Sequence, residues 1–140
     1  MRYLLDTCVI SELVAKHPNP RVVGWVDNVD EGTIYLSALT IGEIKKGIEK
    51  LPASSRRSTL AEWLEDGLLI RFEGRILPID APVALVWGKL TADLERQGRP
   101  IPAMDSLIAA TALQGQLSLV TRNEADFAGC GVAVINPWTE

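Results

Sequence analysis

The chain has 140 residues, 47% of them apolar and 23% charged, with a formal net charge of −4. That length suits one domain with a buried core, and the mixture excludes a disordered tract or a continuous coiled coil. The negative balance argues against coating nucleic acid through bulk positive potential, and no apolar stretch is long enough to span a bilayer or act as a secretory leader.

Short apolar runs alternate with helical patterns along the chain. A strand is expected over Arg2–Leu5, then helices over Val9–Ala15 and Arg21–Val29, the second with Val22, Trp25, Val26 and Val29 on one face. A strand at Thr33–Leu36 leads into a helix over Ile41–Leu51. A long helical segment near Ser55–Phe72 repeats Leu60, Trp63, Leu64 and Leu68 at the spacing of one face. Ile76–Pro78 reads as a strand, and Ala81–Gln97 as a helix with Leu85, Val86, Trp87, Leu90 and Leu94 as its apolar stripe. Ala103–Gln114 follows as a helix, with strands at Ser118–Thr121 and Val132–Ile135. Continuous short apolar strands separated by helices predict an α/β fold, a parallel sheet covered on both faces, with the stripes as core. With no repeat, low-complexity tract or linker, residues 1–140 read as a single domain.

The chemistry lies in four scattered carboxylates at the ends of apolar elements. Asp6 ends the run Tyr3-Leu4-Leu5, Glu43 lies in Thr40-Ile41-Gly42-Glu43, Asp105 opens an apolar helix, and Asp126 follows Val120-Thr121-Arg122-Asn123-Glu124-Ala125. Acids distant in sequence but gathered at strand ends are what a hard cation such as magnesium or manganese requires, and phosphoryl chemistry uses such ions. Each acid also has a bland reading. Asp6 can cap the helix expected near Val9, Thr40 and Glu43 have the spacing of a capping box, and Asp105 can compensate a helix dipole. Thr121 and Glu124 form a second capping-box pattern, which makes Glu124 a cap, and Asp80 before Ala81-Pro82 reads as an N-cap without chemistry. Cys8 and Cys130 lack metal-site spacing and read as reduced and structural, which favours the cytoplasm. His17, the only histidine, excludes a multi-histidine zinc site and falls in a loop-like segment. Lys46 and Lys50 share a helix face beside Lys45, Arg56 and Arg57; a local basic patch and a solvated helix face are both open readings.

The segments Tyr3–Leu13, Tyr35–Glu43, Gly74–Asp80, Ile101–Ala112, Val120–Phe127 and Val134–Trp138 together resemble PIN-domain ribonucleases of the VapC type, in particular the FitB branch, in the right order over nearly the whole chain. The resemblance implies a three-layer α/β/α sandwich with a short parallel sheet. It implies a metal-dependent endoribonuclease, the toxin component of a toxin–antitoxin pair, with Asp6, Glu43 and Asp105 catalytic. These three and Asp126 would hold Mg2+ or Mn2+; Thr7, Thr121 and Asn123 would orient ligands or water, and Arg122 and Lys46 would be candidate RNA contacts. Arg122 reads equally well as a surface ion pair. Asn123 stands where members commonly carry a fourth aspartate, so the expectation is one well-held metal on Asp6 and Asp105 near Glu43 and a weaker second, with Asp126 supplying charge if a helical turn begins there. Implied partners are RNA, a cognate antitoxin, a second copy in a homodimer, and operator DNA only through the antitoxin; no membrane is implied. Two other functional classes remain open: a catalytically weakened binding or regulatory module, and a DNA nuclease. A phosphatase fits poorly, because Asp6 is followed by Thr7 and Cys8 rather than by an Asp-x-Asp motif.

Overall fold

Five short strands form one parallel sheet, with helices in the connections. The structure, a computed structural model, describes residues 1–140. Its strands are β1 (Tyr3–Leu5), β2 (Ile34–Ser37), β3 (Ile76–Leu77), β4 (Ser118–Val120) and β5 (Val134–Ile135), in the order β3-β2-β1-β4-β5. Every pairing is parallel, with Tyr3 opposite both Ile34 and Ser118. The helices are α1 (Thr7–Leu13), α2 (Pro20–Asn28), α3 (Ala38–Glu49), α4 (Ser55–Glu62), α5 (Leu69–Arg71), α6 (Ala81–Arg96) and α7 (Ala103–Gly115).

Side chains alternate across each strand, and that alternation creates two separate cores. Leu5, Ile34, Leu36 and Val120 point to one face and pack with Val9, Ile10, Val22, Val26, Ile44, Leu64 and Phe72 from α1 to α5. Leu4 and Leu119 point to the other and pack with Leu94, Ile108, Ala109, Ala112 and Phe127. The three layers expected of an α/β/α sandwich are therefore present. Alanines at 109, 110 and 112 are fully buried, so α7 lies close against the sheet.

Several local expectations are corrected. The first helix begins at Thr7 rather than near Val9, because Asp6 itself is the N-cap and accepts from the Thr7 N–H. The third helix begins at Ala38 rather than Ile41, capped by Ser37, whose hydroxyl accepts from the Leu39 N–H. Thr40 therefore lies inside α3 and is no cap, which removes the capping box with Glu43. The second capping box is absent too: Thr121 Oγ1 accepts from the Asn123 N–H, and Glu124 accepts from the Asn136 side-chain amide. Asp80 does cap α6, accepting from the Val83 N–H at 3.1 Å. The segment Ser55–Phe72 is not one regular helix, since Trp63–Leu68 winds as a π-helix between α4 and α5. Leu85 does not join the stripe of α6; it is 78% exposed, while Val83 and Leu94 are the buried positions.

Candidate active site

In an open parallel sheet a crevice forms where the strand order reverses, outside the carboxyl ends of the strands. Here the chain adds β2 and β3 on one side of β1 and β4 and β5 on the other, so the reversal falls between β1 and β4. Asp6 is the residue after β1 and Thr121 the residue after β4. Asp6 N–H donates to the Val120 carbonyl at 2.9 Å, and Thr121 Oγ1 donates to Asp6 Oδ2 at 2.8 Å. The carboxylate is thus fastened across the switch point at only 7% exposure.

Thr7 links this carboxylate to the third helix. Its N–H donates to Asp6 Oδ1 at 2.8 Å, and its hydroxyl donates to Glu43 Oε1 at 2.7 Å. The hydroxyl of Thr40, fully buried, lies 3.0 Å from the Thr7 hydroxyl. A hydroxyl carries one proton; with that of Thr7 directed to the carboxylate, the proton between the two threonines belongs to Thr40. Thr40, Thr7 and Glu43 therefore form a directed chain ending on a carboxylate oxygen.

Asp105 sits in the first turn of α7, as expected, and Asp126 lies in a 3-10 turn, Glu124–Phe127. Burial raises the Asp6 carboxyl above its ordinary value, opposed by the Thr121 and Thr7 hydrogen bonds and reinforced by the negative charges of Glu43 and Asp126. Burial also raises Asp105, with Asp6, Asp126 and Glu43 adding to it in that order. These mutual effects place all four acids in one negative basin. None of the four forms a salt bridge with Lys, Arg or His; the ion pairs present join other acids. The basin is not a finished cage, since no three His, Cys, Asp or Glu side chains stand close enough to grip one ion together. An all-oxygen donor set with uncompensated charge nevertheless fits a hard divalent cation, whose binding would draw the carboxylates inward against their repulsion.

Two residues of the site escaped the sequence reading. Thr40 was masked by its capping-box spacing. Cys8 reads as structural from its spacing and is a free thiol, but its Sγ stands 3.5 Å from Thr121 Oγ1 and 3.9 Å from Asp6 Oδ2 and accepts from the Arg122 N–H at 3.5 Å. Burial pushes this thiol up, so it remains an S–H donor beside the carboxylate. Its position immediately after Asp6-Thr7 was the one available signal. Arg122 makes no ion pair; its guanidinium lies 5.3 Å from the centre of the Trp138 ring. Asn123 is exposed just before the turn that carries Asp126. His17 is exposed, as its loop context suggested.

Two grooves flank Glu43. One, of about 550 Å³, is lined by Leu39, Gly42, Glu43, Lys46, Lys50 and Met104. The other, of about 340 Å³, runs past Thr7, Val14, Ile44, Leu60 and Trp63 and is mostly apolar. No helix is long and apolar enough to cross a membrane.

This arrangement has close counterparts. The chain is similar to Toxin FitB of Neisseria gonorrhoeae, 43% identical over 135 residues, covering 96% of this chain and 97% of that protein. It is 37% identical over 135 residues to VapC ribonuclease Y4jK of Sinorhizobium fredii, covering 96% of each. Its fold superposes with a TM-score of 0.93 on a FitAB complex bound to an IR36 DNA fragment, at 41% identity, over 97% of this chain and 95% of that one. Residues 3–129 match the PIN domain. The geometry and this match agree, and the chain belongs to the PIN domain family.

Proposed function

We propose that this protein is a divalent-metal-dependent endoribonuclease, the toxin of a toxin–antitoxin pair, and that Asp6, Glu43 and Asp105 are its catalytic carboxylates with Asp126 lending charge. The observation that carries the reading is the four-acid basin at the topological switch point, without a cationic side chain to balance it. The kinship to a toxin and to a VapC ribonuclease gives the reaction class.

Asp6, Asp105 and Glu43 would hold Mg2+ or Mn2+, which when bound supplies charge to a phosphodiester and acidifies water for attack. The chain's own part is to fix the acids. Thr121 and the Thr7 N–H favour the ionised form of Asp6 against its burial, one on each oxygen. Thr40 and Thr7 pin one oxygen of Glu43 and leave the other free. Asp105, raised by burial and then by its acidic neighbours, holds a proton more readily than an ordinary aspartate when the basin lacks a cation. Asn123 adds no charge where an aspartate is common, and Asp126 compensates from the following turn, which supports one strong and one weaker ion position.

The apolar groove past Ile44, Leu60 and Trp63 opens on Thr7 and Glu43 and so suits an antitoxin segment that reaches the acids. Operator DNA would be met through that antitoxin, as the FitAB complex on DNA suggests by analogy. A homodimer in the cytoplasm completes the reading.

The test is cleavage of a structured RNA panel by the purified, antitoxin-free chain in Mn2+. Asp6→Asn, EDTA and a DNA substrate of equal sequence serve as controls. Cleavage of RNA that disappears with EDTA and with Asp6→Asn is expected. Full activity of Asp6→Asn would overturn the site, preferential DNA cleavage would move the enzyme to the DNA nucleases, and a folded but inert protein would favour the binding module.

A further inference from the structure

The cations of α3 divide into two groups. Lys45 is paired with Glu49 at 2.8 Å, and Glu49 is shared with Arg57, so both of these cations are engaged within the protein. Lys46 and Lys50 have no acidic partner, and both line the groove that contains Glu43. Glu43, Lys46 and Lys50 follow one another along one helix face, and the two lysines are separated by about 6 Å of helical rise, roughly one turn.

The rest of the groove is shaped for chain rather than for a compact ligand. It is open along its length, Gly42 presents no side chain to it, and nothing lies within 4 Å of the places where a Cβ at Gly42 or Gly47 would sit. Leu39, on the same helix face beyond Glu43, and Met104, 38% exposed, add apolar surface to the groove. A backbone of regularly spaced anions with flat apolar groups on one side matches such a surface. Single-stranded nucleic acid has that chemistry, its phosphates on the cations and its bases against apolar side chains. An acidic basin of four carboxylates would repel a polyanion, and two unpaired lysines one and two turns along the same helix supply local attraction on a chain of net charge −4.

We infer that Lys46 and Lys50 form a two-phosphate rail that leads single-stranded RNA along α3 to Glu43, with Leu39 and Met104 as the surface for its bases. This rests on the ribonuclease reading and specifies where the substrate strand lies. Lys46 also falls in the last turn of α3, where a cation favours the helix dipole, so the test must separate binding from stability.

The experiment measures binding of a labelled single-stranded oligoribonucleotide by fluorescence anisotropy in Mg2+, in an Asp6→Asn background that prevents cleavage, across a salt series. Each phosphate contact contributes about 0.7 to the slope of log affinity against log salt for a single strand. Lys46→Gln and Lys50→Gln should each lower the slope by about 0.7, and the double variant by about 1.4. That is roughly a 2.6-fold weaker salt response per lysine between 50 and 200 mM. Lys46→Arg and Lys50→Arg should retain the slope, and Lys45→Gln should leave it unchanged. In the otherwise wild-type enzyme, the glutamine variants should raise KM and leave kcat within about twofold, a loss of uniform binding. If RNA is bound and cut but the slope is the same in the double variant, the rail is wrong and the ribonuclease reading stands. If Lys46→Gln lowers the melting temperature without changing the slope, its role is the helix end and the rail is again wrong. If the unmodified protein neither binds nor cuts RNA, the functional reading fails first and the rail with it.

Discussion

Thr121→Val isolates the bond that holds Asp6 ionised. Valine keeps the shape of threonine at a position with no exposure, so packing changes little. It removes the hydroxyl that donates to Asp6 Oδ2 at 2.8 Å and accepts from the Asn123 N–H at 3.1 Å. A hydrogen bond to a charged group contributes about 1.5–3 kcal/mol and a neutral one about 1 kcal/mol. The substitution should therefore cost about 3 kcal/mol at neutral pH, roughly 10 °C in melting temperature for a chain of this size. The sign of the pH dependence follows from Asp6. Its folded-state carboxyl is raised above its ordinary value, with burial the largest cause and the Thr121 bond acting against it. A raised carboxyl binds its proton more tightly when folded, so stability falls as pH climbs from the unfolded value through the folded one. Removing the hydroxyl raises the folded value further and extends that fall. The deficit of the variant should consequently be smaller near pH 4 than at pH 7.5, by about 1–2 kcal/mol, because acid favours the protonated form of Asp6, which depends less on this bond. Thermal melts in EDTA at the two pH values measure it, with Thr121→Ser as the variant that keeps the bond. An equal deficit at both pH values, or a serine variant as unstable as the valine one, would refute the assignment of this hydroxyl to the ionised form of Asp6.

Three further outcomes are expected. Asp105→Asn should stabilise the metal-free protein by about 0.5 kcal/mol at pH 7.5, a modest figure because the group is only partly buried. The gain should vanish towards pH 4, and the variant should lose most of the thermal shift that Mn2+ induces in the parent; destabilisation at pH 7.5 in EDTA would contradict the shared negative basin. Thr40→Val should lower kcat several-fold and shift metal half-saturation upward while Thr40→Ser retains both, since only the hydroxyl reaches Glu43 through Thr7; equal loss in both variants would make the role one of packing. Phe72→Ala should cost about 3–5 kcal/mol in chemical denaturation, because the ring is wholly buried, whereas Leu85→Ala should change stability by less than about 0.5 kcal/mol. Similar effects at the two positions would contradict the burial of α6.

Both carboxylates with raised values owe them first to burial, and both sit where backbone donors are free or strands end. Elsewhere the exposed acids Glu31, Glu49 and Asp93 are paired with arginine or lysine and held below their ordinary values. Gathering acids without a cationic partner at one crevice, with burial raising two of them, is the electrostatic pattern of a cation site.

Much of this was legible in the residues alone. Continuous apolar strands such as Tyr3–Leu5 and Ser118–Val120 can be stable only when covered on both faces, so their sequence already determined a parallel sheet between helices, and the position of Asp6 directly after such a strand placed it at a crevice. Asp80 before a proline-containing helix start was a readable cap, because capping depends on neighbours in the chain. What depended on distant partners was not readable. Thr40 and Glu43 have the spacing of a capping box, but the sheet ends at Ser37 and starts the helix three residues early, which turns Thr40 inward onto Thr7, 33 residues away. Cys8 touches Thr121 across 113 residues, and Leu85 lies at a core-like spacing yet faces solvent because nothing packs over that side of α6. Local chemistry chose the elements and their order; only tertiary packing decided which hydroxyl meets which carboxylate, because those bonds join residues 33 to 115 positions apart in the chain.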